Sequence, residues 1–174
     1  TYANGAYCYN VNEKKWTNYL HDENNPRSLP YDKVLSIFED SHRQIWLTTQ
    51  GGGFCKFHPE TETFTSYDSR NGLPNDVVYQ IVEDKEGLMW LTTNNGLVSF
   101  QPATGAMKVY TTANGLLGEQ FNYRSSFETE DGTIYLGSID GFVAFNPKNF
   151  SENKSLPSIV ITDFLLFGKE VYPG

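Results

Sequence analysis

One period governs this sequence. Trp46 and Trp90 stand 44 residues apart, and so do Ile37 and Ile81. Pro59 and Pro102 are separated by 43 residues, as are Asn71-Gly72-Leu73 and Asn114-Gly115-Leu116. A third copy keeps the register: Gly132, Tyr135, Gly141, Phe145 and Pro147 each fall 45 residues after Gly87, Trp90, Gly96, Phe100 and Pro102. Upstream, Asn4-Gly5 and Tyr9 match Asn95-Gly96 and Phe100, so the chain is expected to open partway through a repeat. A unit of this length cannot bury its apolar face alone and must stack on its neighbours.

Each unit divides into four strand-sized pieces, which in the second full copy are 77–83, 88–93, 97–101 and 106–111. Gly87, Asn95-Gly96 and Thr104-Gly105 supply the hairpin turns between them. Four antiparallel strands every 40 to 50 residues mark a β-propeller blade, whereas a sandwich needs no equal spacing and a solenoid repeats over shorter coils. The 12 Phe, 11 Tyr and 15 Gly of the 174 residues suit an all-β chain of short strands and tight turns. The expectation is therefore an incomplete β-propeller of about three and a half four-stranded antiparallel blades over 1–147. Full blades fall near 34–68 and 77–111, with remnants at 1–20 and 121–147. Trp46, Trp90 and Tyr135 are expected to fill the gaps between adjacent blades. Too few blades are present for a closed ring, so open blade edges are expected to pair with a second copy.

With 13 basic against 21 acidic residues, a net charge of −8 disfavours a phosphate backbone as partner. The longest apolar-rich stretch, 159–167, is interrupted by Thr162 and Asp163, so no membrane span is expected. Cys8 and Cys55 lie at near-equivalent places in successive repeats, too distant for a bridge, and are read as free, partly buried thiols. His21, His42 and His58 are scattered and read as solvated loop residues, not metal ligands. Glu39-Asp40 and Glu83-Asp84 recur just before a turn. A catalytic pair is built once, so these carboxylates are expected to cap turn amides. No nucleophile elbow and no phosphate-cradling glycine loop is present, and no catalytic residue, metal or cofactor is assigned.

The segments IFEDSHRQIWLTTQGGGFCKF, NGLPNDVVYQIVEDKEGLMWLTTNNGLVSF and NGLLGEQFNYRSSFETEDGTIYLGSIDGFVAFNPKNF resemble two-component regulator propeller repeats. They are most similar to the last propeller repeats of hybrid two-component sensors. The tail, with Leu156-Pro157-Ser158-Ile159-Val160, looks like the linker and first strand of the β-sandwich that follows the propeller in that family, placed at 148–174. The resemblance implies a membrane-anchored parent with a periplasmic propeller, a histidine kinase and a DNA-binding domain, responding to oligosaccharides. Departures from the repeat are also visible. Arg43 replaces a turn glycine, which suggests a longer or strained hairpin. Gln50-Gly51-Gly52-Gly53 carries one extra residue, Ser126 replaces Ile, and Tyr135 replaces Trp.

Propellers take ligands on the face formed by loops that enter the innermost strands, here 22–33, 71–79 and 114–124. Aromatic faces and bidentate polar groups on that face suit a sugar. Tyr31, Arg70, Asn75, Tyr79, Asn122, Tyr123 and Arg124 are the candidates. Two rival readings are a lyase similar to the streptogramin-inactivating propeller enzymes, with His and Glu around a metal, and a scaffold with no ligand.

Overall fold

A computed structural model describes residues 4–149 and, as backbone, the short hairpin strands Leu165–Leu166 and Lys169–Glu170. Thirteen strands are described before residue 150. β1 (Ala6–Asn10) and β2 (Lys15–Tyr19) pair as a hairpin. β3 (Val34–Glu39), β4 (Ile45–Thr49), β5 (Phe54–His58) and β6 (Thr63–Tyr67) form a four-stranded antiparallel sheet in sequential order. β7 (Val78–Glu83), β8 (Met89–Thr93), β9 (Gly96–Gln101) and β10 (Ala106–Tyr110) form a second. β11 (Phe121–Glu128), β12 (Ile134–Ser138) and β13 (Gly141–Phe145) form a third sheet of three strands. This is an incomplete propeller, and the strand ends fall within a residue of those set by the turn signals. The tail assigned to a sandwich lies outside the described residues, apart from Lys148, Asn149 and the hairpin backbone.

Three apolar cores lie between successive blades. Trp46, Phe54, Ile81, Met89, Val98 and Phe100 join the second blade to the third. Trp90, Leu97, Tyr79, Phe121, Ile134 and Leu136 join the third to the fourth. Leu29, Leu47, Cys55 and Phe64 join the first hairpin to the second blade. The period-2 alternation of the strands explains this arrangement, since alternate residues of every strand face the preceding and following blades. Trp46 points forward, its ring 5.6 Å from Phe100 of the next blade, and Trp90 repeats the contact at 4.7 Å from Phe145.

An Asp–Trp clamp locks each complete blade. Asp40 Oδ1 accepts from the His42 and Gln44 amides at 2.9 and 2.8 Å, and its Oδ2 accepts from Trp46 Nε1 at 2.9 Å. Asp84 does the same for Glu86, Leu88 and Trp90. One buried carboxylate thus satisfies a turn and the indole N–H of the ring that fills the blade interface. The glutamates differ from each other. Glu83 accepts from Ser41 N and Oγ of the preceding blade, both at 2.7 Å, whereas Glu39 pairs with Arg43 in its own turn.

Three sequence expectations need correction, and a fourth, the longer or strained Arg43 hairpin, holds in its second half, strain. The Arg43 hairpin is not longer, because Asp40 and Gln44 pair just as Asp84 and Leu88 do. Instead Arg43 takes φ 63°, the left-handed conformation that Gly87 and Gly132 supply elsewhere. Cys8 is exposed and Cys55 fully buried. Register explains the difference: Trp46 pairs with Lys56 and Leu47 with Cys55, while Gly5 and Gly53 both sit against a strand-end Tyr carbonyl, which aligns Cys8 with Lys56. An offset of one residue reverses the face. His58 belongs to β5 and not to a loop, with Nε2 2.8 Å from Thr65 Oγ1. Tyr135 is 38 % exposed rather than buried like its two Trp counterparts, because no described residue covers that face.

Candidate ligand-binding face

Strand direction decides which residues share an end of the propeller. β3, β7 and β11 start at the end that carries loops 20–33, 68–77 and 111–120, and the β4–β5 and β8–β9 turns return to that same end. A repeated bond ties these pieces together. Gly5, Gly53 and Gly96 donate their backbone N–H to the carbonyls of Asp32, Asp76 and Glu119 at 2.7–2.9 Å. The side chains of those three acids then cap the loop in front of them. Asp32 accepts from the His21 amide at 2.7 Å, Asp76 from Ser69 N and Oγ, and Glu119 from Thr112 N and Oγ1. The Thr112 bonds hold the Glu119 carboxyl below the usual carboxylate range. These acids escaped the sequence reading, although their spacing of 44 and 43 residues follows the repeat.

Short 3-10 turns at Ser69–Asn71 and Thr112–Asn114 complete each loop. Each has a reciprocal capping box, Asp68 with Asn71 and Thr111 with Asn114, and ends on a glycine with positive φ, Gly72 and Gly115. The recurring Asn-Gly-Leu is thereby explained as a loop terminator.

A groove of about 610 Å³ opens on this end between the 21–30 loop and the turn at 68–70. His21, Asp22, Glu23, Asn25 and Ser28 line one wall, and Ser66, Asp68, Ser69, Arg70 and Asp76 the other. Gly51 and Gly52 form its floor beside Pro30. The extra residue of that glycine run is needed here: a Cβ on Gly52 would lie 2.7 Å from the Pro30 carbonyl, and one on Gly51 would meet the Tyr31 ring at 3.2 Å. Arg70 grips Asp68 through Nε at 3.0 and 3.1 Å, and this bond holds the Asp68 carboxyl low.

The seven candidate residues separate into groups. Arg70 lines the groove, whereas Tyr31 is not among its lining residues and has its ring near Gly51. Tyr79 and Tyr123 form a second pair one blade farther on, ring centroids 4.6 Å apart, with the Tyr79 hydroxyl donating to Asn94 Oδ1. Burial raises the Tyr79 pKa. Asn75 and Asn122 are spent on backbone, Asn75 accepting from Val77 N at 2.8 Å and Asn122 donating to Ser138 O at 2.8 Å. Arg124 sits at φ 49° in the β11 bulge between Phe121 and Ser126. His21 was read only as a solvated loop residue, and Asp22 and Glu23 lie in the expected 22–33 loop without having been singled out, since loop polarity alone carries no period.

The histidines do not meet. His21 lies at the groove end, its Nδ1 2.9 Å from the Leu29 carbonyl oxygen, whereas His42 in the β3–β4 turn and His58 at the end of β5 lie at the opposite end. Among the described residues no three His, Cys, Asp or Glu side chains are grouped to hold a metal.

Residues 72–95 match the two component regulator propeller family. The whole chain aligns with histidine kinase P4 of Formosa agariphila, 34% identical over 224 residues, and spans about 16% of that relative's length. The extracellular domain of BT4673 from B. thetaiotaomicron, named a hybrid two component system, shares the fold at TM-score 0.68 and 23% identity over 84% of this chain and 21% of its own. Virginiamycin B lyase from Staphylococcus aureus shares it at TM-score 0.56 and 18% identity over 83% of this chain and 49% of its own. At those identities the likeness is one of fold alone. The family match covers the turn, β7 and β8 of a unit whose clamp, loop cap and blade core recur in the unit before it, so residues 72–95 carry a two component regulator propeller repeat within a chain of like repeats.

Proposed function

We propose that this chain is part of the extracytoplasmic, periplasmic sensing region of a membrane-anchored hybrid two-component regulator, that it is not itself catalytic, and that its signal is an oligosaccharide. The groove on the loop end supports this reading. At about 610 Å³ it has room for a few sugar rings, and polar side chains line both walls. Signal relay would be differential, with ligand favouring one arrangement of this propeller against the domains beside it. The lyase reading requires histidines on one face, and only His21 lies there.

Self-association belongs to the same proposal. The forward face of the fourth blade exposes Phe127, Tyr135 and Phe142, and the rear face of the first hairpin exposes Tyr7, Tyr9 and Trp16. Both surfaces repeat the positions that meet inside the molecule at the two complete blades. A second copy pairing at the open blade edges would bring further strands to these surfaces. Calorimetric titration of the intact protein with a panel of oligosaccharides tests the sensing reading. Saturable binding of at least one is expected, and none binding would refute it.

A further inference from the structure

We infer that the groove between the 21–30 loop and the 68–70 turn takes a neutral, hydroxyl-rich saccharide and rejects uronates and sulfated sugars. This deepens the sensing reading and rests on it. The groove carries four carboxylates, those of Asp22, Glu23, Asp68 and Asp76, and one guanidinium. Arg70 is already held by Asp68 through Nε, so that pair is neutral as a unit. Asp76 accepts from Ser69 N and Oγ and shares the field of Arg70, which Asp68 already holds, and the Asp22 carboxylate accepts the Asn24 amide at 2.9 Å. Three carboxylates therefore remain uncompensated, and an anionic sugar entering would meet like charge at short range.

A neutral sugar meets the reverse situation. Carboxylates are acceptor-only groups, and each can take a pair of vicinal hydroxyls in bidentate fashion. Asp76 is fixed for that task by its own loop bonds, and Pro26, Pro30, Gly51 and Gly52 give the groove apolar surface for the apolar side of a pyranose. A bound divalent cation would be the competing use of such acids, but among the described residues no three ligands are grouped to hold one.

Calorimetry on the intact protein with cello-, malto- and manno-oligosaccharides, oligogalacturonates and calcium chloride decides the matter. One neutral series is expected to bind at least tenfold more tightly than the oligogalacturonates. Ser66→Tyr, which fills the groove from β6, should weaken that binding at least tenfold. Glu23→Lys, on an exposed loop, should narrow the discrimination at least threefold by admitting oligogalacturonate, and it decides the question alone should Ser66→Tyr fail to fold. Preferred binding of oligogalacturonate, a Glu23→Lys variant with unchanged discrimination, or saturable calcium binding abolished by Glu23→Ala would each overturn the inference. Neutral-sugar binding that survives a folded Ser66→Tyr variant overturns the placement and leaves the sensing reading standing. Failure of every saccharide to bind removes both.

Discussion

The third and fourth blades begin from the same pattern and end in different physical states. In the third, Asp84 caps its turn and holds the Trp90 indole, which is buried under Phe145 of the next blade. In the fourth, Thr129 stands where the Asp should be and Tyr135 where the Trp should be. Thr129 Oγ1 accepts from the Thr133 amide and contacts Asp131 Oδ1, a smaller turn cap that sends nothing to the ring. Both halves of the clamp are absent together. The faces differ likewise: Leu97 is 1 % exposed, while Phe142 at the equivalent place is 63 % exposed. Among the described residues, the clamp is found where a following blade covers the indole, and the blade without a described follower has neither Asp nor Trp. A buried indole needs a partner for its N–H, and a half-exposed phenol finds water.

The sharpest way to break this contrast is to remove the carboxylate. Asp84→Ala leaves one buried indole N–H and two turn amides without their acceptor. At about 1–3 kcal/mol for an orphaned buried donor, a loss near 3 kcal/mol is expected in urea unfolding. Thr129→Ala removes only the weaker cap and should cost about 1 kcal/mol. Equal losses would show that the clamp contributes no more than its turn.

Thiol chemistry sharpens the same inside–outside distinction. Cys8 is exposed, whereas burial pushes the Cys55 thiol up and keeps it protonated. With a water-soluble thiol reagent, one equivalent should react quickly and the second only on unfolding. Cys8→Ser should abolish the fast phase, and two fast equivalents would contradict the burial of the core between the first hairpin and the second blade.

Backbone strain separates the second blade from the third. Arg43 takes the left-handed turn position that Gly87 occupies without penalty, and a side chain there costs about 1 kcal/mol. Arg43→Gly is therefore expected to raise stability by about 0.5–1 kcal/mol, less the small contribution of the exposed Glu39 pair. Gly87→Arg should lower it by a similar amount.

Much of this was legible in the sequence because it repeats. The spacing of Trp46 and Trp90, and of the Gly-centred turns, sets blade number and strand order, and the recurrence of Glu-Asp before each turn pointed to capping. What was not legible depends on parity and surroundings. Cys8 and Cys55 look equivalent at a distance of 47 residues, yet one residue of offset puts them on opposite faces. Ile37 and Ile81 are equivalent in the repeat, but Ile37 is 63 % exposed and Ile81 5 %, since burial depends on the neighbouring blade and not on the residue. The groove was half legible: Arg70 was picked by type and the 22–33 loop by its place in the repeat, while Asp22 and Glu23 gain meaning only once loops far apart in sequence meet. Asn75 and Asn122 have the right chemistry for a sugar, but backbone groups reach them first.

The smallest expected effect concerns charge at the groove and distinguishes its wall from the carboxylates elsewhere on that end. The side-chain bond from Arg70 is the main reason the Asp68 carboxyl titrates low. A carboxylate whose folded pKa is depressed contributes stability above its unfolded pKa, and that contribution disappears as pH falls through the folded value. Arg70→Ala should then raise the Asp68 pKa toward its ordinary range and remove a small stabilisation that is present above pH about 4, so that variant and wild type converge as pH falls through the wild-type Asp68 value. Arg70 is exposed although Asp68 is largely covered, so salt should mute the effect and keep it small at pH 7. Glu119, held low by Thr112 with no cation involved, serves as the internal control. In carboxyl-resolved NMR titrations of wild type and variant, Asp68 should move and Glu119 should not. A Glu119 shift of equal size would mean that Arg70→Ala had loosened the whole loop end, and the local reading of the groove's charge would fall with it.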